Sequence, residues 1–176
     1  MNKSIQSQVL PTIQGWFAND KQFEMGPFFE PADHIRRFQI ASPSIIGIRA
    51  MQASYQIIEE AGMQAISEKA AAGSQLILDL FDAWLAPLGF TLLTPREAHR
   101  RGGHITVGHP DAKKIAAGMR KFANVVPDYR TPDSIRLAMA PLPTSYVEIW
   151  DGLARMRDLV ASKKYLEVED NGSRVT

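Results

Sequence analysis

The sequence predicts an α+β fold in which helices cover one face of a short sheet. Apolar stripes at helical spacing fill residues 45–85, and short alternating or β-branched segments follow between residues 90 and 139. A further helical stripe occupies residues 147–160. Helices gathered on one side of a small sheet can bury one apolar core between the two layers.

Residues 1–44 have no clear period and contain four prolines and six large aromatic residues. Large apolar side chains without periodicity indicate a segment that packs against another part of a protein. We therefore expect residues 1–44 to be the tail of a larger domain whose main body is missing. Residues 45–165 then form a connecting helix and a small domain, and residues 166–176 form a polar tail that frays.

Two long helices are predicted at the start of the small domain. The first covers residues 45–61, and Gly62 marks its end. The second covers residues 63–85, and the run Pro87-Leu88-Gly89 stops it.

The sheet is predicted from four short segments with a helix over residues 111–122 between the second and the third. The four predicted strands are residues 90–93, 104–108, 124–127 and 134–139.

Two capping-box patterns mark helix starts. Thr94-Pro95-Arg96-Glu97 places proline at the first helical position, but the residues that follow are too polar for more than one turn. Ser145-Tyr146-Val147-Glu148 opens the last helix. The stripe expected to be buried on that helix is Val147, Trp150, Leu153, Met156 and Val160.

Composition excludes several classes of function. The 176 residues include no cysteine, which excludes disulfides, thiolate metal sites and cysteine nucleophiles. The net charge of +1 comes from interspersed charges and gives no footprint for nucleic acid or for a membrane surface. No apolar run reaches the roughly 18 residues of a membrane-spanning helix, and the N-terminus does not resemble a signal peptide. We expect a cytoplasmic protein.

Common catalytic and metal-binding motifs are absent from the sequence: it contains no G-x-G-x-x-G, no Walker loop and no H-E-x-x-H. His99, His104 and His109 recur every five residues, which places them on no common face, so we expect solvated histidines and no metal site. The turn at residues 100–103 is basic and is expected to be a solvated loop rather than an anion site.

Arg136 is the strongest candidate for a functional residue. It lies in a run that otherwise reads as a buried strand, and arginine keeps its charge, so an anion must meet it. Ser134 and Ala138 share its strand face and leave room for a ligand carboxylate, which a guanidinium binds with two parallel hydrogen bonds. The alternative is an ion pair within the fold, with Asp133, Asp128 or another acidic residue.

Two further candidates lie in the irregular N-terminal segment. Trp16 follows Gly15, and its indole N–H needs an acceptor when buried, either within the core or on a phosphate. Ser42 precedes Pro43 at the start of a predicted helix, where hydroxyl and N–H groups either cap the helix or bind an anion.

Together these residues resemble the kynureninase family over residues 13–162. The motifs that carry the resemblance, in the order and spacing of the family, are Gly15-Trp16-Phe17, Ile35-Arg36-Arg37-Phe38, Ala41-Ser42-Pro43, Glu60-Ala61-Gly62-Met63, Thr94-Pro95-Arg96, Ile135-Arg136, Ala140-Pro141-Leu142 and Glu148-Ile149-Trp150-Asp151-Gly152-Leu153. The resemblance implies the aspartate-aminotransferase-like α/β family of fold-type I pyridoxal-phosphate enzymes. The chain would hold the C-terminal small domain and the tail of the large domain.

The resemblance also implies a function and site residues. It implies hydrolysis of L-kynurenine to anthranilate and L-alanine, in tryptophan catabolism and NAD biosynthesis, by a homodimer that uses pyridoxal 5'-phosphate. By resemblance, Arg136 would bind the substrate α-carboxylate and Phe17 would touch the substrate ring. Trp16 would contribute to the cofactor phosphate site, and Ser42 would lie by the cofactor or substrate across the dimer interface.

The sequence contains no candidate for the Schiff-base lysine, which needs surroundings that lower its pKa. Its lysines lie in polar tails, loops and solvated helix faces, so we expect no catalytic residue in this chain. One hypothesis is a C-terminal kynureninase fragment that is inactive alone and associates with a missing N-terminal part. The other is a non-enzymatic binding or dimerisation module derived from the small domain. Exposed aromatic residues between positions 16 and 38 would favour the fragment.

Overall fold

The structure is a computed structural model that describes residues 1–169, so the end of the predicted polar tail, residues 170–176, lies outside the described residues. The chain divides into two compact units, Met1–Glu60 and Ala61–Thr176. No helix in the described part of the chain is both long and apolar enough to cross a lipid bilayer.

The first unit is largely irregular, as its sequence predicts. It contains the short helix α1 (Lys3–Gln6), two 3-10 turns (Trp16–Ala18 and Ile35–Phe38) and an isolated bridge between Asn19 and Pro31. The predicted first long helix is confirmed as α2 (Ile45–Ala61).

Arg37 organises the irregular part of the first unit. Its side chain is buried, and it donates to the backbone carbonyls of Ala32, at 2.7 Å, and of Gln6 and Val9. These carbonyls come from two separate stretches of chain, so one guanidinium ties the N-terminal residues to the segment before α2. The partners are neutral, and hydrogen bonds to carbonyl dipoles stabilise the buried charge.

Helix α2 has an unusual surface for a helix with an apolar stripe. None of its residues, all of them described, is buried. Ile46 is 85% exposed and Ile45 is 66% exposed, and Met51 and Tyr55 are exposed as well. The stripe that predicts the helix correctly therefore has no cover within the described chain.

The second unit begins with α3 (Met63–Leu80), which continues through one π turn (Phe81–Leu85) and one 3-10 turn (Ala86–Leu88). Gly89 ends this run in a left-handed conformation, with φ of 88°. The predicted second helix and its stop at residues 87–89 are thus confirmed.

A four-stranded antiparallel sheet follows, in the order β1-β2-β4-β3. Its strands are β1 (Thr91–Leu92), β2 (His104–Gly108), β3 (Asp128–Arg130) and β4 (Ser134–Ala138). Both β2–β4 and β3–β4 are in continuous register, and β2–β4 forms the centre of the sheet.

Two local predictions around the sheet are wrong. The strand predicted at residues 124–127 lies instead at Asp128–Arg130, because Asn124 takes a left-handed conformation with φ of 50° that no strand accommodates. The capping box at Thr94 does not form, since the Thr94 hydroxyl accepts from the backbone N–H of Thr106 at 2.8 Å. Only a 3-10 turn follows, at Ala98–Arg100.

Helices α4 (Ala112–Phe122) and α5 (Tyr146–Ala161) complete the helical layer. They pack with α3 over the sheet face that carries Ile105, Val107 and Ile135, each fully buried. This arrangement confirms the predicted α+β fold with a short sheet covered by helices on one face.

The capping box of α5 forms as predicted, with Ser145 and Glu148 each bonding back to the other's backbone. The predicted stripe is only partly correct, because Val147 is 67% exposed and Trp150 is 50% exposed. Trp150 instead packs edge to face on Trp84, with ring centres 4.6 Å apart. The residues of α5 that are buried are Ile149, Leu153, Met156, Leu159 and Val160.

A last 3-10 turn, Lys164–Glu167, closes the second unit against α4. Tyr165 is buried, and its hydroxyl donates to Asp111 at 3.0 Å. Burial, and then this hydrogen bond, raise the pKa of the Tyr165 hydroxyl. Gly118 on α4 lets the turn approach, because a Cβ there would lie 2.9 Å from Cβ of Tyr165.

Candidate functional site

Strand β4 presents Arg136 on the polar face of the sheet. Its neighbours Ile135 and Leu137 point into the helical layer, because side chains alternate along a strand. In the register of the sheet, Arg136 lies opposite Thr106 on β2 and opposite Asp128 on β3. Arg136 is therefore flanked by short side chains on both neighbouring strands.

The ion pair that the sequence leaves open for Arg136 is formed, and its partner is Asp128 rather than Asp133. Nη2 of Arg136 donates to Oδ2 of Asp128. The same oxygen accepts from Nη2 of Arg130 at 2.7 Å, so two guanidiniums share one carboxylate. Hydrogen bonds from Arg130 first, and then from Arg136, hold the pKa of the Asp128 carboxyl below its usual range although burial acts to raise it.

Arg136 retains hydrogen-bonding capacity beyond this ion pair. A guanidinium has five N–H donors, and Nε and Nη1 of Arg136 have no hydrogen-bond partner among residues 1–169. The side chain is 37% exposed. Each edge that binds a carboxylate with two parallel hydrogen bonds pairs Nη2 with Nε or with Nη1, and Asp128 takes one of the two Nη2 hydrogens. The edge with the other Nη2 hydrogen is therefore available to a second carboxylate.

The sequence analysis did not predict that Arg130 shares the Asp128 carboxylate with Arg136. The signal was present, because Asp128 and Arg130 are two residues apart and such residues share a face when they lie in a strand. It went unused because the third strand was predicted to end at residue 127, before either of these residues.

A cavity of about 190 Å³ opens beside Arg136, where the edge strand β3 begins. Its charged lining residues are Asp128, Arg136 and Glu148, and most of the others are apolar, among them Met119 and Leu153. An apolar cavity with a few convergent polar groups is the usual form of a small-molecule site. The arrangement suits a small ligand that has a carboxylate and an apolar portion.

Trp16 stands in the 3-10 turn Trp16–Ala18 of the first unit. Its indole N–H donates to the backbone carbonyl of Gln22 at 2.6 Å, and the residue is 49% exposed. Phe17 and Phe23 both meet its ring edge to face, with ring centres 5.4 Å and 5.8 Å away. The structure therefore gathers Trp16 and Phe17 into one aromatic cluster.

Gly15, just before this cluster, is buried and lies against the backbone of Ile40. A Cβ at position 15 would overlap the carbonyl group and Cα of Ile40. The glycine of the Gly15-Trp16-Phe17 motif thus has a packing reason, which is the close approach of two backbone segments.

Ser42 lies in the first unit, and it is exposed. Its hydroxyl makes no hydrogen bond to any other residue of the described chain. The capping role falls to Ser44, whose Oγ accepts from the backbone N–H of Gly47 at 3.3 Å. The structure thus gives Ser42 no capping role.

The predicted site residues are distributed over both units. Trp16, Phe17 and Ser42 belong to the first unit, and Arg136 belongs to the second. Of the predicted site residues in the first unit, Trp16 and Phe17 are in ring contact with each other.

The three evenly spaced histidines lie on different elements of the second unit. His99 is in a 3-10 turn, His104 begins β2, and His109 follows it. His109 is more than a solvated residue, because its Nδ1 accepts from the N–H of Asp111 at 3.0 Å and its ring packs on Phe90. In the described residues, no three His, Asp or Glu side chains cluster in a way that would hold a metal ion.

Comparison with known proteins identifies the family. The family model for the kynureninase C-terminal domain matches residues 66–156, just over half of the chain. The chain belongs to the kynureninase family. The match spans most of α3, the sheet and most of α5, and therefore includes Asp128, Arg130 and Arg136.

Individual kynureninases align over nearly the whole chain. Kynureninase of Bacillus anthracis is 33% identical over 163 residues, which are 92% of this chain and 38% of that protein. Kynureninase of Geobacillus thermodenitrificans (strain NG80-2) is 34% identical over 157 residues, or 88% of this chain and 36% of that protein. The chain therefore spans little more than a third of the length of these kynureninases.

Among solved structures, the apo structure of cysteine desulfurase from Thermococcus onnurineus NA1 has the same fold. The TM-score is 0.68 at 16% sequence identity, and the match covers 92% of this chain and 42% of that one. This similarity confirms the predicted fold-type I architecture.

The kynureninase family implies pyridoxal phosphate, and the lysines test whether this chain can anchor it. All eight lysines lie between residues 3 and 164. Seven are exposed, Lys69 is half-buried, and none lines the cavity beside Arg136. An anchoring lysine needs a desolvated or cationic pocket that lowers its pKa. The residues present therefore do not fit the anchoring part of a cofactor site.

Proposed function

We propose that this chain is the substrate-carboxylate-binding C-terminal part of a kynureninase-type hydrolase, which converts L-kynurenine to anthranilate and L-alanine in tryptophan catabolism. In this proposal Arg136 binds the substrate α-carboxylate. The chain carries no anchoring lysine, so it is inactive alone and acts only with an N-terminal part that supplies the lysine and the rest of the cofactor site.

The free edge of Arg136 is the observation that carries this proposal. Asp128 accepts one of the two Nη2 hydrogens, while Nε and Nη1 have no hydrogen-bond partner in the described chain and the side chain is 37% exposed. One edge, formed by the second Nη2 hydrogen and either Nε or Nη1, therefore stays open. A guanidinium matches the geometry of a carboxylate through two parallel hydrogen bonds. The adjacent apolar cavity offers space for the remainder of a small substrate.

The remaining family roles are proposed for residues of the first unit. Trp16 contributes to the cofactor phosphate site, for which its indole N–H would leave the carbonyl of Gln22. Phe17 touches the substrate ring, and Ser42, whose hydroxyl makes no hydrogen bond in the described chain, approaches the cofactor or substrate across a homodimer interface. The cofactor, when bound, supplies the electron sink for bond cleavage. We place the assembled enzyme in the cytoplasm.

A chimera tests the proposal. The part of Bacillus anthracis kynureninase that this chain matches is replaced by the chain, so that the lysine-bearing part of that enzyme is retained. We expect the chimera to hydrolyse L-kynurenine and the isolated chain not to. Arg136→Met in the chimera should lower kcat/KM by at least about 100-fold, since a charge-assisted bidentate pair is lost.

Two outcomes would contradict the proposal. A folded chimera that binds cofactor but does not hydrolyse L-kynurenine would favour the non-enzymatic module. A bound pyridoxal phosphate signal in the isolated chain that one specific lysine substitution removes would show that the chain has an anchoring lysine after all. Arg155→Met, at an exposed residue of α5 that does not line the cavity beside Arg136, is the matched control and should retain activity.

A further inference from the structure

We propose that Asp128, supported by Arg130, is a positioning residue that holds Arg136 with one edge open to the ligand carboxylate. The proposal deepens the function proposed above and rests on it for the identity of the ligand. It assigns roles to Asp128 and Arg130, which lie outside the motifs that carry the resemblance to the family.

The sheet register places Asp128 where it can act on Arg136. The two residues are direct cross-strand partners on the antiparallel pair β3–β4. Such partners lie within about 4.5–5.5 Å at Cβ, so a short aspartate reaches the guanidinium of its neighbour without either backbone moving. Asp128 is 30% exposed, which means that part of its interaction with Arg136 is shielded from water.

The contact uses little of the guanidinium. Only Nη2 of Arg136 donates to Asp128, whereas Nε and Nη1 have no hydrogen-bond partner in residues 1–169. An arginine side chain that is held at one nitrogen has already lost much of its rotamer freedom, so less is lost when a ligand binds the other edge. The hydrogen bond to Asp128 therefore favours binding of a ligand carboxylate, provided that Asp128 does not occupy the edge of the guanidinium that the ligand uses.

Because Arg130 also pairs with Asp128, the aspartate does not neutralise the charge of Arg136. The Oδ2 atom of Asp128 accepts from both guanidiniums, so the three side chains together carry one net positive charge. With Asp128 and Arg136 alone, the pair would be neutral and would attract an anion less strongly. Arg130, 55% exposed, leaves the open edge of Arg136 electrically positive.

Side-chain NMR on the whole chain tests the positioning directly. The Nε–Hε signal of Arg136, assigned by its loss in Arg136→Lys, reports the motion of the guanidinium. We expect the {¹H}–¹⁵N NOE of this group to be high in the unmodified chain, intermediate in Asp128→Asn and low in Asp128→Ala. Asp133→Asn, which removes a nearby carboxylate without an ion pair to Arg136, is the matched control and should leave the signal unchanged.

The chimera described above tests the consequence for the ligand. Asp128→Ala should raise KM for L-kynurenine about tenfold, because an unanchored side chain must be ordered on binding, and kcat should change by less than about twofold. Asp128→Asn, which keeps an oxygen acceptor, should recover part of the loss. Arg130→Met should raise KM as well, although Arg136 remains anchored.

The outcomes separate this inference from the proposed function. An unchanged NOE in a folded Asp128→Ala chain, or a KM that stays the same or falls, would overturn the positioning role. If Arg136→Met leaves KM for L-kynurenine unaltered, the proposed function fails, and the NOE series still decides whether Asp128 positions Arg136. The backbone amide spectrum identifies a variant that does not fold, and Asp128→Asn then replaces Asp128→Ala.

Discussion

Arg136 shows how much of a residue's role can be predicted from the sequence around it. Its fixed charge within an apolar run required an anion, and the sequence allowed a ligand or one of several acidic side chains. The structure supplies Asp128 for one nitrogen and leaves an edge free. The choice of Asp128 over Asp133 depends on strand register, which is a long-range property that the local sequence does not encode.

Glu148 provides a test of electrostatics at the residue scale. The backbone N–H of Ser145 first, and then its hydroxyl, hold the pKa of the Glu148 carboxyl below its ordinary value of 4.5. Near these pH values the folded chain thus binds fewer protons at Glu148 than the unfolded chain does. The ionised Glu148 therefore stabilises the fold at pH values above 4.5, and this stabilisation is lost as the pH falls through the pKa of Glu148 in the folded chain. We expect Glu148→Gln to reduce the loss of thermal stability between about pH 6 and pH 3.

The matched control for Glu148 is Asp151→Asn on the exposed face of the same helix. Thermal unfolding followed by circular dichroism at several pH values gives the comparison. An identical acid dependence in the unmodified chain and in Glu148→Gln would refute the assignment of this stabilisation to the capping box.

At the scale of elements, helices were predicted better than strands. Helices α2, α3, α4 and α5 follow from local periodicity and stop signals such as Gly62 and residues 87–89. Strand β3 was displaced because Asn124 turns the chain in a left-handed conformation, which its sequence context did not reveal. The Thr94 capping box failed because a strand partner, the N–H of Thr106, took its hydroxyl.

Two glycines in helices should respond oppositely to substitution by alanine. A Cβ at Gly118 on α4 would lie 2.9 Å from Cβ and 3.1 Å from Cα of Tyr165, whereas a Cβ at Gly152 on α5 would meet nothing within 4 Å. Gly118→Ala should destabilise the chain by about 1–2 kcal/mol through overpacking. Gly152→Ala should stabilise it by about 0.5–1 kcal/mol through reduced backbone entropy.

Urea unfolding of the two variants measures this difference, with the m-value as a check that the unfolded states remain comparable. Equal effects of the two alanines would mean that the approach of the 164–167 turn to α4 is not a tight contact in solution.

At the scale of the whole molecule, many large apolar side chains of the first unit are exposed, and contiguous exposed apolar patches mark interaction surfaces. Phe28 is 80% exposed, Met25 is 77%, Phe23 is 75% and Ile46 is 85% exposed. The sequence anticipated this in its unperiodic aromatic residues, and the exposure favours a chain whose natural cover is another polypeptide. The position of that cover could not be predicted, because none of residues 1–169 provides it.

This exposure predicts behaviour in solution. We expect the isolated chain to bind a hydrophobic dye strongly and to self-associate, and Ile46→Lys to weaken both effects, because it places a charge in the apolar surface of α2. Gln56→Lys adds the same charge at an exposed polar position on the same helix and serves as the control. Dye fluorescence and light scattering are the measurements, and equal dye binding by both variants and the unmodified chain would contradict the prediction.

The buried turn at Tyr165 lies beyond the part of the chain that the family model matches, yet it belongs to the core of the domain. Similarity to the family model ends at residue 156, yet Leu159, Val160 and Tyr165 are part of the same core. A chain cut at residue 156, where the match to the family model ends, would lose these side chains and uncover Gly118. The family model is thus shorter than the physical body of the domain, and any boundary for producing the domain alone should lie beyond Glu167.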